Sequence, residues 1–315
     1  MPLRSILVTG ASGFVAMHLL PRLATAFPDA VLTLCGSGSG MVPLDVTDTT
    51  AVDALVGSVQ PEACVHLAAM ASVQATRRNP DLAWQVNLHG TLALASAVLH
   101  HVPASSFLFV SSADIYGSSF RIGDALDERA VPAPISTYGA TKAAADLALG
   151  AMVAEGLRAV RLRPFNHTGA GQSEAFVVPA FARQIMRVAA GLQPPVLQVG
   201  ALDPYRDFLD VRDVCDAYVA CLTRRDALEP GLILNIASGA PRRIGAVLDD
   251  LLRLAGVQAR PEISAEWLRP ADIPVASGNA ALACHLLDWT PRISWEDTLR
   301  DVLADWRARV MQDRS

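Results

Sequence analysis

The sequence predicts an α/β protein with a doubly wound parallel sheet and a smaller, discontinuous α/β lobe. In the first half of the chain, short apolar runs alternate with longer segments of helical character, which is the pattern of right-handed βαβ units. The strand-like runs are apolar almost throughout, as expected for a sheet that helices cover on both faces. A chain of 315 residues is also long enough to bury a sizeable core and to carry a second lobe.

Five strands and four helices are expected before residue 164. The strands are expected over 5–9, 31–35, 63–67, 107–111 and 159–162, and the helices over 14–26, 49–58, 81–101 and 137–155. After this point the regularity loosens, although a strand over 232–236 is expected to return to the sheet. Segments 243–256, 263–268 and 295–310 are assigned to the smaller lobe. The GSGSG patch at 36–40 is interpreted as a turn and not as a phosphate site.

These elements predict two units. A nucleotide-binding domain is expected from 1–166 together with about 210–240, and a substrate-binding lobe from about 167–209 and 241–315.

The composition narrows the class of protein. Hydrophobic residues make up 51% and charged residues 18%, which excludes a disordered chain. No apolar run approaches the roughly 20 residues of a membrane span, and the N-terminus enters a strand without a secretory leader, so a cytoplasmic protein is expected. The 26 Lys and Arg are outnumbered by 31 Asp and Glu, which argues against a nucleic-acid partner. The five scattered cysteines predict neither a disulfide framework nor a metal site.

A glycine-rich turn lies between the first strand and the first helix. In ILVTGASGFVA, Gly10 and Gly13 leave backbone amides free at a helix N-terminus, where a pyrophosphate binds well. Ala16 stands where a third glycine is usual, which is a small departure. The alternative is a tight turn with no ligand, but the strand–turn–helix context favours a dinucleotide site.

The end of the second strand leaves the choice between NAD and NADP open. Leu34, Cys35 and Gly36 occupy the place where an acidic residue would bind a ribose hydroxyl, and no arginine for a 2′-phosphate is adjacent. Asp45 either contacts the adenine amino group or stabilises the N-terminus of the next helix.

Ser112, Tyr138 and Lys142 form the candidate catalytic set. Ser112 follows the fourth strand, at the carboxyl edge where parallel sheets bind ligands, and YGATK places Tyr138 and Lys142 one helical turn apart. Tyr138 would donate a proton to a developing alkoxide, Lys142 would lower the pKa of the phenol and bind the nicotinamide ribose, and Ser112 would bind the substrate oxygen. The competing interpretation of the Tyr–Lys pair is a solvated helix face.

TGASGFVA, HLAA, SSADIYG and YGATK together resemble the extended short-chain dehydrogenase/reductases, which act on nucleotide sugars. The resemblance covers essentially the whole chain and implies a Rossmann-type fold, NADP or NAD consumed in its reduced form, and a homodimer. It implies cofactor contacts from Gly10, Ser12, Gly13, Phe14, Val15, Asp45, Val46, Leu67, Ala68, Ala69, Asn87, Tyr138, Lys142 and Pro164.

RPFNHTGAGQ, FVVPAFARQI and YRDFLDVRDVCDAY look most like the GDP-mannose-derived branch of this family. Ala170 stands where that branch commonly has proline. The branch implies a GDP-linked 4-keto-6-deoxy sugar as substrate, bound by Ser112, Asp114, Asn166, Val178, Arg183, Arg206 and Arg269. Arg206 and Arg269 would neutralise the diphosphate, unless they form surface ion pairs instead. His167 is expected to be a hydrogen-bonding loop residue and not a catalytic one.

The resemblance implies reduction of the C4 ketone to GDP-6-deoxy-D-mannose. Dehydratases of the family carry a Glu after the catalytic serine, whereas this chain has Ala113 and the shorter Asp114, so elimination is poorly equipped. A 4-epimerase, or a reductase that gives the talose epimer, stays open because the residues do not determine the face of attack. A non-catalytic NAD(P)-binding protein is argued against by the intact Ser, Tyr and Lys.

Overall fold

The computed structural model describes residues 3–264 and 273–312. Its larger sheet consists of six parallel strands in the order β2-β1-β3-β4-β5-β9. The strands of the structure in chain order are β1 Ser5–Thr9, β2 Val31–Cys35, β3 Ala63–His66, β4 Ser106–Val110, β5 Arg158–Pro164, β6 Asn166–Thr168, β7 Val196–Val199, β8 Tyr205–Asp210, β9 Ile233–Ile236, β10 Pro241–Arg243, β11 Arg260–Ile263 and β12 Val275–Ala276. The predicted fold class is confirmed, and the five early strands lie within one or two residues of their expected bounds.

Helices cover both faces of this sheet. The helices are α1 Phe14–Ala26, α2 Thr49–Val59, α3 Val73–Arg78, α4 Pro80–Trp84, α5 Thr91–His101, α6 Thr137–Ala154, α7 Val177–Ala189, α8 Val211–Thr223, α9 Ile244–Ala255, α10 Ala281–Leu287 and α11 Trp295–Gln312. Ile6 and Val8 pack in a core with α1, α8 and α10, whereas Leu7 between them packs in a core with α2, α5 and α6. This alternation explains why the successive residues Ile6, Leu7 and Val8 of β1 are all apolar.

A second group of elements has its own core. β8 pairs with β6, β10 and β12 in a small sheet, and β7 pairs with β11. Helices α7, α9 and α11 contribute buried side chains to a separate cluster that includes Val178, Phe208 and Trp306. This separation supports the discontinuous two-unit division, which we retain as a proposal.

The helix expected over 81–101 is interrupted. After α4 the chain makes one wide π-helical turn at Gln85–Gly90 before it continues as α5. Such turns often occur at functional sites. In the part of the chain that the structure describes, Pro80–His101 is also one helical stretch long and apolar enough to cross a membrane, a test that core helices of soluble proteins pass as well.

Candidate active site

The glycine-rich turn has the shape that a dinucleotide pyrophosphate requires. Gly10 has a φ of 69°, and a Cβ there would lie 2.7 Å from the backbone nitrogen of Ala68, so that only glycine fits. Gly13 is the N-cap of α1 and offers no side chain to its first amides, which leaves them available to an anion. Ala16 is fully buried, so its methyl group replaces the usual third glycine without opening the packing.

The loop after β3 is positioned by a buried chain of hydrogen bonds. The Ala68 amide donates to Thr9 Oγ1 at 3.4 Å, and Thr9 Oγ1 lies 2.7 Å from His66 Nδ1. Thr91 Oγ1 donates to the Asn87 carbonyl, so it must accept from His66 Nε2, 2.9 Å away. Nε2 of His66 therefore carries a proton, and burial lowers the pKa of His66 to about 3, which favours the neutral imidazole.

Asn87, expected at the cofactor, lies in the π-helical turn and is fully buried. Its Oδ1 accepts from the Met70 amide at 2.8 Å, and its Nδ2 donates to the Met70 carbonyl and to Thr141 Oγ1. Asn87 thus connects the loop after β3, which includes the expected Leu67 and Ala69, to the helix that carries Tyr138 and Lys142.

The end of β2 faces the glycine-rich turn. The Ser37 amide and hydroxyl both donate to Ser12 Oγ, at 3.4 and 3.3 Å. Asp45 is exposed, and its Oδ1 accepts from the Thr47 amide and hydroxyl, which lower the pKa of this carboxyl. The N-cap of α2 is Asp48, not Asp45, so the helix-capping alternative is wrong and the adenine contact stays a prediction.

Ser112 and Asp114 lie in the short turn after β4. Ser112 is 7% exposed, and its Oγ accepts from the Asp114 amide at 3.1 Å, so the loop itself orients the hydroxyl. Asp114 is exposed.

Tyr138 and Lys142 begin α6, whose N-cap is Ser136, with Ser136 Oγ accepting from the Gly139 amide at 3.0 Å. A Cβ on Gly139 would lie 2.6 Å from the Asp114 carbonyl oxygen. Glycine at this position therefore allows the helix to approach the turn that carries Ser112. Sequence reasoning missed this role of Gly139, because a glycine between Tyr138 and Lys142 gives no sign of which backbone it approaches.

The surroundings of Tyr138 favour its protonated form, mainly through burial. Burial and the negative charge of Asp114 raise the pKa of the phenol, while a hydrogen bond with Ser112 lowers it to a smaller extent. Lys142 is 3% exposed, donates to the Val110 carbonyl at 2.7 Å and lies over the Phe109 ring. Burial lowers the pKa of Lys142 to about 7, and the effect of Lys142 on the pKa of Tyr138 stays a prediction.

The segment at the end of β5 contains Pro164, expected at the cofactor, and Asn166, expected at the substrate. Pro164 is buried at the end of β5, and Asn166 is exposed at the start of β6. His167 donates from Nδ1 to the Phe165 carbonyl at 3.0 Å and stacks on Phe14, the first residue of α1. A carbonyl can only accept, so Nδ1 carries the proton, in agreement with the expected hydrogen-bonding role of His167.

The expected diphosphate-binding arginines are only partly described. Arg206 in β8 donates from Nη1 to the carbonyls of Tyr205 and Ile273, both at 2.8 Å. Arg269 lies outside the described residues. Arg242, which no sequence motif indicated, is the direct antiparallel partner of Arg206, so both side chains leave the same face of the small sheet. The guanidinium of Arg242 lies 4.9 Å from the centre of the Trp295 ring.

Arg183 borders a cavity of about 570 Å³ between α7 and β7. Its Nε lies 2.7 Å from Glu174 Oε2, and other polar lining groups come from Gln184, Gln193 and Gln198. Val178 lies in the same helix as Arg183. It is 1% exposed and packs in the core formed by α7, α9 and α11. Contacts of Val178 and Arg183 with substrate stay predictions.

Comparison with known proteins agrees with this geometry. The model of the NAD dependent epimerase/dehydratase family matches residues 6–237. The chain belongs to this family. The expected family, the enzyme class and a nicotinamide dinucleotide cofactor are thereby confirmed.

Individual relatives within the NAD dependent epimerase/dehydratase family carry more specific names. GDP-6-deoxy-D-mannose reductase of Pseudomonas aeruginosa is 35% identical over 98% of this chain and 99% of its own length. GDP-6-deoxy-D-talose 4-dehydrogenase of Aggregatibacter actinomycetemcomitans is 26% identical over 90% of each chain. The structure of RMD from Pseudomonas aeruginosa complexed with NADPH has a TM-score of 0.85 and 33% identity, and covers 98% of both chains.

Proposed function

We propose that this protein reduces the C4 ketone of GDP-4-keto-6-deoxymannose to GDP-6-deoxy-D-mannose (GDP-D-rhamnose) at the expense of NADPH or NADH. The observation that carries the proposal is the likeness to GDP-6-deoxy-D-mannose reductase over nearly the full length of both chains. The site described above contains the groups that this reduction needs.

A reduced nicotinamide, when bound beside Tyr138 and Lys142, would supply the hydride. Tyr138 donates its phenolic proton to the oxygen at C4 as that oxygen becomes an alkoxide, and Ser112 hydrogen-bonds the same oxygen. Reduction requires the phenol to start protonated, which is the form that burial and Asp114 favour. Lys142, anchored by the Val110 carbonyl, lies on the same helix face as Tyr138 and is assigned to the nicotinamide ribose.

The same residues support dehydration less well, whereas they are compatible with epimerisation. Elimination needs a base that removes the proton next to the ketone, and the residues between Ser112 and Ile115 are Ala113 and Asp114. A 4-epimerase would use the same Ser112, Tyr138 and Lys142, and it differs from a reductase in regenerating its cofactor during each turnover.

The test is a turnover assay with purified protein and the GDP-linked 4-keto sugar. Absorbance of the reduced nicotinamide should fall by one equivalent for each product molecule formed. An internal epimerase regenerates its cofactor, so product without net consumption of NAD(P)H would contradict the reductase assignment.

The second candidate is reduction to the C4 epimer, GDP-6-deoxytalose. The likeness to GDP-6-deoxy-D-talose 4-dehydrogenase, an enzyme named for that epimer, is the observation that favours it. The proton coupling constants of the hydrogen at C4 in the product distinguish the two sugars, because that hydrogen is axial in one and equatorial in the other.

Two further proposals concern the cellular location and the oligomeric state of the enzyme. We expect a cytoplasmic location and a homodimer, as the family resemblance implies. Light scattering of the purified chain measures the oligomer directly, and a monomer at micromolar concentration would contradict the expected dimer.

A further inference from the structure

Two imidazoles and one carboxylate converge on the outer surface of the nucleotide-binding half, away from the groups assigned to catalysis. Within 3–264 and 273–312, the group of His, Cys, Asp and Glu side chains with metal-ligand spacing consists of Asp53, His100 and His101. Asp53 belongs to α2, and both histidines lie at the C-terminal end of α5. The candidate ligand atoms all lie within 4.8 Å of one another.

The spacing of these atoms is close to that of a coordination sphere. Ligand atoms at about 2.1 Å from a tetrahedral metal are about 3.4 Å from each other. Asp53 Oδ1 lies 2.9 Å from His101 Nε2 and 3.9 Å from His100 Nδ1, so the two distances bracket this value. The separation of the two imidazole nitrogens is at most 4.8 Å, so side-chain rotation is needed to place all three atoms around one ion.

The protein leaves room for this arrangement. Gly57 in α2 faces the ring of His101, and a Cβ at that position would lie 3.1 Å from its Cε1. The His101 ring therefore lies close to the backbone of α2. Its Nε2 contacts the carboxylate of Asp53, which is one turn before Gly57 in α2. The His100 side chain is 74% exposed, so the ligand set is open to ions from solvent.

We propose that Asp53, His100 and His101 form a binding site for a divalent transition-metal ion of the zinc class. Two neutral imidazoles with one carboxylate suit Zn²⁺, Ni²⁺ or Cu²⁺, and imidazole nitrogens disfavour Mg²⁺ and Ca²⁺, which prefer oxygen ligands. Three protein ligands leave at least one position for water. The ion would join α2 to α5 and stabilise the folded chain, because the unfolded chain does not hold the three ligands together.

The experiment uses the full chain, treated with a chelator and then freed of it. Titration with ZnCl₂ in a calorimeter should show one ion per chain, and saturating Zn²⁺ should raise the melting temperature. His100→Gln is the main variant, because its exposed side chain can be changed without disturbing the core. Loss of a direct ligand should weaken Zn²⁺ binding by at least about tenfold, since even changes to outer-shell partners of a metal cost 10–100-fold.

Asp53→Asn and His101→Gln should weaken binding similarly, and MgCl₂ should give no comparable heat. His285→Gln is the matched control: this histidine is exposed on α10, outside the cluster, and its loss should leave Zn²⁺ affinity unchanged. Absence of saturable Zn²⁺ binding to the wild-type chain would overturn the proposal. Binding that all three cluster variants retain, or that His285→Gln also removes, would overturn it as well.

Discussion

At the scale of single residues, the segment YGATK shows which features of the candidate site the sequence predicts and which it does not. The spacing of Tyr138 and Lys142 predicts one shared helix face at the edge of the sheet, and α6 begins there as expected. The sequence could not reveal the surroundings that set the two pKa values. Burial of Lys142 beneath the end of β4, and the position of Asp114 near Tyr138, depend on tertiary packing and not on spacing.

Tyr138→Phe keeps the aromatic ring but removes the proposed proton donor. We expect turnover of the keto sugar to fall by about 10²-fold or more, while the affinity for NADPH changes little. Stopped-flow measurement of NADPH oxidation, with cofactor affinity from fluorescence quenching, separates the two effects. Near-normal turnover would show that Tyr138 is not the proton donor and that this helix face has no catalytic role.

Ser37→Asp tests the cofactor contacts at the end of β2. Ser37 donates to Ser12 beside the glycine-rich turn, where the family places the adenosine ribose. A carboxylate there should accept from a ribose hydroxyl and repel a 2′-phosphate, so affinity should shift from NADPH toward NADH. Calorimetric Kd values for both cofactors, with Ser39→Asp as a neighbouring control, measure the shift. An unchanged ratio of the two Kd values would show that the 2′ position of the adenosine ribose does not lie near Ser37.

At the scale of elements, α6 is held to β5 by a buried ion pair. Arg163 Nη2 lies 2.9 Å from Asp146 Oδ1, with 2% and 1% of the two side chains exposed. Arg161 Nη1 contacts the same carboxylate oxygen at 3.2 Å. Because Asp146 is one turn beyond Lys142 on the same helix, this pair also fixes the position of the catalytic helix along the strand. The sequence did not predict the pairing of Asp146 with Arg163, because an arginine in a strand does not indicate which carboxylate it contacts.

Asp146→Asn should be strongly destabilising, because it leaves two buried guanidinium groups without their counter-charge. We expect the free energy of unfolding to fall by about 3–5 kcal/mol. Asp127→Asn is the matched control, since Asp127 pairs with Arg129, whose side chain is 91% exposed, and should cost little. Urea denaturation of both variants measures the difference, and equal losses would show that burial of the pair contributes nothing.

The π-helical turn is the element that sequence patterns could not supply. The apolar periodicity over 81–101 fits one continuous helix, and a single inserted residue leaves that pattern almost intact. The turn nevertheless brings Asn87 to the Met70 backbone and to Thr141. The five early strands of the larger sheet, by contrast, were predicted within one or two residues because most of their residues are apolar and helices cover both faces of the sheet.

At the scale of the whole molecule, the order of the larger sheet follows from the βαβ pattern, but the small sheet does not. Its four strands come from segments as distant as Asn166–Thr168 and Val275–Ala276, and three of them, β6, β10 and β12, have at most three residues, too few to show a period. For the same reason the pairing of Arg242 with Arg206 was not foreseen. Among the candidate catalytic groups, Ser112 was predictable because it follows the apolar strand β4, and Tyr138 and Lys142 were predictable from their spacing on one helix.

Whole-molecule stability should depend on pH through His66. Its pKa in the folded protein is about 3, against 6.5 ordinarily, so between these values the unfolded chain binds the extra proton. Stability should therefore fall as pH falls from 6.5 toward 3, by up to about 1.4 kcal/mol for each pH unit from this residue alone.

The measurement is urea denaturation of the wild type and His66→Gln at several pH values from 7 down to 4.5. The variant should be less stable at pH 7 but should lose less stability on acidification, because glutamine does not titrate. Parallel pH dependences of the two proteins would show that His66 does not remain neutral in the folded state.

The edge position of β9 has a consequence for biosynthesis. β5 is complete at Pro164, yet its outer neighbour begins only at Ile233, after much of the smaller sheet has been translated. At about 5–20 residues per second, the nascent chain presents an unpaired edge of β5 for several seconds. An open parallel edge invites pairing with other chains. Ribosome pausing between these strands should therefore increase misassembly of this enzyme, and chaperones that shield the nascent edge should improve its yield.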